Sequence, residues 1–204
     1  IIANEINVNA GEEINIEITL HNYGILTAGN VIAELSSSSE HVSIDGGAIV
    51  SYGNIAVGGS VTHSYPVYIH GTAFDMEDLE FILSITDENG NNWVNYVPVN
   101  VSGSYLFIDE YIGVTNPGES TNISFIIHNE GSRKAINFTV ELLPYENLVS
   151  VASEAVLMDT LFIGEQTLLS GFEMSFSNSI INGSIVPMDL DFTSYDGFTR
   201  SQVI

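Results

Sequence analysis

The chain has 204 residues, with 26 acidic side chains against three basic ones, a formal charge of −23 and no cysteine. Its cations, Arg133, Lys134 and Arg200, are too few for the clusters that grip nucleic-acid phosphates or an anionic membrane surface. The lack of cysteine excludes disulfides, thiolate metal sites and a cysteine nucleophile. A 45% hydrophobic content with no apolar run near ~20 residues excludes a disordered chain and a membrane-spanning helix.

Ile1 to Val8 reads as a strand, closed by the turn Asn9-Ala10-Gly11-Glu12. Apolar and polar residues then alternate strictly from Ile14 to Leu20, which on a strand turns one face inward and leaves the other wet. Asn22-Tyr23-Gly24 ends that strand, since Asn bonds backbone in tight turns and Gly accepts positive φ. Val31, Ala33 and Leu35 form a second inward row, and Phe81, Leu83 and Ile85 a third. Gly58-Gly59 breaks the chain between them, and Asn89-Gly90 is a hairpin signal. The acidic stretch Asp75 to Asp78 is too short for a helix.

After a short junction at Ser102-Gly103-Ser104 the pattern returns. Asn116-Pro117-Gly118-Glu119 matches Asn9 to Glu12, and His128-Asn129-Glu130-Gly131 matches His21 to Gly24, both at an offset of 107. Leu190-Asp191-Phe192-Thr193 meets Leu83 to Thr86 at the same offset, with one slip near Gly58 and Gly164. Phe138, Val140 and Leu142 repeat the second row; Met188, Leu190 and Phe192 repeat the third. The expectation is an all-β chain of two tandem immunoglobulin-like β-sandwich domains, residues 1–102 and 103–204, with about seven strands each. Repeat 2 departs between Glu154 and Ile163, where the Tyr52-Gly53-Asn54 turn has no match. Each end looks trimmed relative to the other copy, which predicts a fragment of a longer protein.

The Asn-x-Gly-Glu turn, the His-Asn-x-Gly turn, Tyr52 to Gly59 and Ile85 to Trp93 together resemble the tandem Ig-like, CARDB-like modules of large secreted bacterial proteins. Such modules stand beside catalytic domains in gingipain-type peptidases. The resemblance spans the chain twice. It implies an extracellular or cell-surface, non-catalytic role: spacing, adhesion or accessory binding. Neighbouring domains of the same polypeptide would be its partners, together with a surface glycan or protein, with no nucleic acid and no membrane insertion. It carries over no site residues.

The chain has no Gly-x-Ser-x-Gly, His-Glu-x-x-His, P-loop or Gly-x-Gly-x-x-Gly sequence, so it is not read as an enzyme. Its five histidines are His21, His41, His63, His70 and His128, of which His21 and His128 are repeat equivalents at strand ends. Asp87, Asn89 and Asn91 alternate like the first ligands of a calcium loop, but the glycine stands too early and the closing Glu is missing, so a plain hairpin turn explains them as well. The repeat-2 counterpart, Ser194 to Gly197, loses the alternation. No other cofactor is implied. Trp93 and Tyr96, with Tyr52, Tyr65 and Tyr68, are candidates for a carbohydrate platform, against the alternative of core and strand-pair aromatics. Asn100, Asn122, Asn137 and Asn182 begin N-glycosylation patterns, and Asp159-Thr160-Leu161 resembles a Bacteroidota O-glycosylation signal. Ile1 to Val8 is a candidate donor strand for a self-assembling fibre, against pairing within its own domain. The scarcity of Lys and Arg also leaves few trypsin sites, which points to a protease-rich exterior.

Overall fold

The computed structural model describes residues 6–44, 48–145, 147–152, 155–195 and 197–204, and among them every regular element is a strand. The chain divides into two compact units, Ile1–Ser102 and Gly103–Ile204. Each is an immunoglobulin-like β-sandwich.

The first unit holds β1 (Ile6–Asn9), β2 (Glu13–His21), β3 (Ala28–Ser37), β4 (Val42–Ser43), β5 (Ile49–Ile55), β6 (Ser60–Ile69), β7 (Asp78–Thr86) and β8 (Asn92–Ser102). One sheet runs β1-β8-β7-β3-β5 and the other β2-β6-β4. The inward rows read from the sequence form its core: Ile16, Ile18 and Leu20 from one sheet face Val31, Ala33, Leu35, Phe81 and Leu83 from the other, all buried. Burying such side chains contributes roughly 1.5–3 kcal/mol each.

The second unit holds β9 (Leu106–Ile112), β10 (Ser120–Asn129), β11 (Thr139–Pro144), β12 (Val149–Val151), β13 (Val156–Leu157), β14 (Gln166–Phe176), β15 (Met188–Thr193) and β16 (Thr199–Val203). Its sheets are β12-β14-β10-β9 and β13-β11-β15-β16. The core again follows the alternation, with Ile123, Phe125, Ile127, Phe138, Val140, Leu190 and Phe192 buried.

Among the described residues eight strands stand in each unit where about seven were expected. The surplus is short: β4 and β13 have two residues each. β13 lies where repeat 2 departs from the pattern, and the first residue of that region, Glu154, is outside the described residues. The first strands differ in partner. β1 lies parallel on β8, whereas β9 lies antiparallel on β10.

The structure accounts for the slip in the repeat. In β2 and β6 the register is continuous, with Ile16 opposite Tyr65 and Ile18 opposite His63. In β10 and β14, Ile123 faces Phe172 but Phe125 faces Leu169, so β14 carries one extra residue between them. Gly171 there has φ 115, a conformation that favours glycine. One residue lost before Gly164 is thus returned by a β-bulge, and the inward face of each strand is kept.

Candidate functional site

The residues that both copies keep are built into turns. Asn22 Oδ1 accepts the Gly24 N–H at 2.8 Å, and its amide donates to the Leu26 and Ile55 carbonyls at 2.8 and 2.9 Å. Asn129 repeats this with one more bond. Its Oδ1 accepts from the Gly131 and Tyr105 N–H groups at 3.1 and 3.2 Å, and its amide donates to the Arg133 and Leu161 carbonyls at 2.8 and 3.0 Å. The local half of this pattern was legible as an Asn-x-Gly turn. The bonds to Ile55 and Leu161, over thirty residues away, tie the end of β2 or β10 to the neighbouring chain segment. The Gly-Glu turn is equally structural: Glu12 Oε2 accepts the Asn9 N–H at 2.9 Å, and Asn116 donates to Glu119 at 2.9 Å.

The candidate calcium ladder sits on the β7–β8 hairpin. Asp87 Oδ1 accepts the N–H groups of Asn89 and Asn91, each at 2.9 Å, while Oδ2 accepts the Asn91 side-chain amide at 2.8 Å. Both carboxylate oxygens therefore already hold the turn, and the alternation of Asp87 with Asn91 is what closes that hairpin. The Asn91 amide, ahead of the backbone N–H groups, holds the Asp87 carboxyl below its ordinary range. A carboxyl lowered on folding stabilises the fold above its unfolded value of about 3.9 and loses that contribution as pH falls. We expect Asp87→Ala to lower the melting temperature of the first unit at pH 7 with a smaller effect at pH 3. Calcium should leave the melting curve of the intact chain unchanged, because a calcium ion needs six to eight oxygens and would have to break these bonds. A calcium-dependent rise that Asp87→Ala abolishes would assign the loop to metal instead. In the second unit's counterpart of this loop, Asp196 lies outside the described residues.

The candidate aromatics do not share a surface. Trp93 and Tyr96 are an odd number of residues apart on β8 and so point to opposite faces. Trp93 stands opposite Ile85 on the inward-facing side at the end of the sandwich, 47% exposed. Tyr96 stands opposite Ile82 on the outer face, 60% exposed. Tyr52 and Tyr65 are core residues, whose hydroxyls donate to the Ile18 and Ala33 carbonyls. Tyr68 lies on the other sheet beside His70. A five-aromatic platform is therefore not assembled. Tyr96 instead lies on an outer face where Val94, Ile82 and Ile32 alternate with Glu34, Glu80 and Ser84. The same face of the second unit is acidic, since Asp189 and Asp191 take the places of Ile82 and Ser84. Arg200, in the place of Trp93, puts its guanidinium 3.8 Å from the centre of the Tyr105 ring.

One cluster was not foreseen. His41 Nδ1 lies 2.8 Å from Glu77 Oε2, with Phe74 edge-on to the imidazole, and Glu77 also accepts the Phe74 N–H. Ser43 Oγ lies 2.8 Å from His70 Nε2, and the His70 N–H donates to the His41 carbonyl. Glu77 binds His41 rather than His70, so it does not orient the imidazole beside Ser43. The partners are 27 and 36 residues apart and occur in one repeat alone, so neither spacing nor duplication marked them. In the second unit His128 bonds Asp109 at 3.0 Å and stacks on Phe107, a strand-pair contact between β9 and β10. The strand Ile6–Asn9, part of the candidate donor segment, pairs with Val99–Ser102 of its own unit; residues 1–5 of that segment lie outside the described residues.

No family model matches the chain. No curated protein matches it either, so the CARDB-like resemblance stands on its motifs alone. Among solved structures, the chain is similar to a protein of unknown function from Porphyromonas gingivalis, at 12% identity and a TM-score of 0.33, covering 98% of this chain and 94% of that one. It is similar to the C-terminal domain of the Streptococcus pyogenes antigen I/II-family protein AspA, at 9% identity and a TM-score of 0.40, covering 98% and 94%. It is also similar to the secreted serine protease VesC from Vibrio cholerae, at 12% identity and a TM-score of 0.31, covering 97% of this chain and 48% of that one. All three likenesses are distant.

Proposed function

We propose that the chain is a non-catalytic, extracellular or cell-surface pair of modules that spaces, presents or helps to anchor other parts of a larger protein. One observation carries this reading. Among the polar residues that both copies keep, Asn22 and Asn129 hold loops to distant segments and Glu12 and Glu119 close their own turns. A duplicated catalytic or binding site would preserve outward-facing chemistry; here the two outer sheet faces have diverged, with Ile82 and Ser84 in one where Asp189 and Asp191 stand in the other. The deficit of cations agrees with life among trypsin-like proteases, and neighbouring domains would be the first partners. Any catalytic activity, such as that of a peptidase, would reside in those other domains.

The divergence also supports a narrower second reading, in which the outer face around Tyr96 contacts a surface glycan or protein. An antibody against this chain should label intact producing cells without permeabilisation. Labelling only after lysis would defeat the surface assignment. Glycan-array binding lost on Tyr96→Ala would select the second reading over plain spacing.

A further inference from the structure

The chain carries three Lys and Arg residues among 204, and all three stand at one end of the second unit. Arg133 and Lys134 lie on the loop between β10 and β11, and Arg200 is the second residue of β16. Backbone bonds draw these segments together. The Arg133 N–H donates to the Gly103 carbonyl at 3.0 Å, and the Glu130 N–H donates to the Tyr105 carbonyl at 3.0 Å. Arg200 lies over the Tyr105 ring, 3.8 Å from its centre, so it rests on the segment to which the Arg133 loop is bonded. The Tyr195 N–H, in the β15–β16 hairpin, donates to the Ile136 carbonyl of the same loop at 3.3 Å.

The first unit has no Lys or Arg. Leu26, Thr27 and Trp93 hold the repeat positions of Arg133, Lys134 and Arg200, so the fold does not require charge there. Nor do the cations serve the 26 acids of the chain: among the described residues none of the three makes an ion pair with a carboxylate. Two of them rest on rings instead, since Lys134 Nζ stands 5.8 Å from the centre of the Phe162 ring. An aromatic face attracts a cation without neutralising it, so the charge and the N–H donors remain for another group. The rings are themselves open, Phe162 at 54% exposed and Tyr105 at 40%. Of the nearby acids, Glu165 accepts the Phe162 N–H at 3.2 Å, and Glu130 is exposed.

We propose that this end of the second unit binds a carboxylated sugar, a uronic or sialic acid residue of a surface glycan. The cations take the carboxylate, and the exposed rings take the apolar C–H face of the pyranose. The inference adds a partner to the pair of modules proposed above and makes no use of the Tyr96 face. Charge decides against denser anions. Three cations do not hold a polyphosphate, and a chain at −23 repels one. A single carboxylate on an otherwise neutral sugar meets the local cations within the ~8 Å over which physiological salt leaves charges unscreened. An acidic peptide is the poorer occupant. It adds like charge at every carboxylate and loses backbone freedom on binding, whereas a pyranose ring is rigid beforehand.

The test titrates the intact, isotope-labelled chain, followed by amide NMR, with methyl glucuronide and sialyllactose up to about 20 mM. Methyl glucoside and lactose are the matched neutral sugars, and tetraglutamate is the acidic peptide. At least one acidic sugar should shift the amides of Tyr105, Lys134 and Arg200, while its neutral counterpart shifts none of them. Lys134→Gln, on an exposed loop, should weaken that binding about tenfold with the melting temperature unchanged. Arg200→Lys, which keeps the charge and loses the planar fork, should weaken it as well. No shift from either acidic sugar, shifts confined to other parts of the chain, or parent-like binding by Lys134→Gln would overturn the proposal. So would tetraglutamate that binds this end more tightly than both sugars, which would make it a surface for acidic peptides. The titration uses the purified chain, so surface labelling can fail while the sugar still binds, and the two readings are tested separately.

Discussion

Asn129→Ala should cost the second unit about 4 kcal/mol. The side chain is fully buried, and its removal strands three backbone groups, the N–H of Tyr105 and Gly131 and the carbonyl of Arg133, while the Leu161 carbonyl keeps the Ala135 N–H. A buried polar group left without a partner costs roughly 1–3 kcal/mol, partly offset where water enters the vacated space. Typical domains hold about 5–15 kcal/mol in total, so the second unit should be close to unfolding at 37 °C. Asn22→Ala in the first unit should cost less, about 1–2 kcal/mol, because the Asn22 bonds lie in exposed or half-buried surroundings. Guanidinium unfolding followed by amide NMR resolves the two units separately. Equal losses for the two variants, or a loss below about 1 kcal/mol for Asn129→Ala, would show that the hub is not what holds the loop.

Tyr65→Ala should destabilise the first unit by about 3–5 kcal/mol, the usual cost of emptying an aromatic site in a core. Tyr65 is 0% exposed, on β6 opposite Ile16. Tyr65→Phe keeps the ring and should cost no more than about 1 kcal/mol, since its hydroxyl bond to Ala33 is long at 3.4 Å. Tyr96→Ala, on the outer face, should lie within about 0.5 kcal/mol of the parent. Trp93 is the sole tryptophan and reports the first unit by fluorescence. If Tyr96→Ala proved the costlier of the two alanine variants, the assignment of faces along β8 would be wrong. Burial also raises the pKa of both Tyr52 and Tyr65. A tyrosine raised on folding contributes stability that is complete below its unfolded value of about 10 and is lost as pH rises through the folded one. The first unit should therefore melt lower at pH 11 than at pH 9, and Tyr52→Phe with Tyr65→Phe should reduce that difference.

Much of the fold was legible because strand geometry is local. Side chains alternate faces every second residue, so Ile14 to Leu20 declared its inward row without reference to any partner, and the same rule named Val31, Ala33, Leu35, Phe81, Leu83 and their copies. The rule also held information about the candidate site: Trp93 and Tyr96, three apart on one strand, cannot share a face. Tyr52 and Tyr65 were ambiguous for another reason. An aromatic on a strand suits a core and a platform equally, and burial depends on the second sheet. The Asp87 ladder had the same ambiguity, since an oxygen-rich turn can close on a cation or on its own N–H groups; the Asn91 bonds show the second arrangement.

By itself, the sequence determined the all-β class, the motifs that recur at an offset of 107, the inward rows and the turns at Asn22 and Asn129, because each depends on residues within a few positions of one another or on a fixed spacing. The tertiary structure alone decided what required distant segments to meet. It joined Asn129 to Leu161, paired His41 with Glu77, placed β1 on β8 but β9 on β10, and returned the slipped residue as a bulge at Gly171. The physical reason is the same throughout. Alternation specifies which side of a strand is apolar, whereas the strand's neighbours are chosen by hydrogen-bonding edges that every residue carries alike.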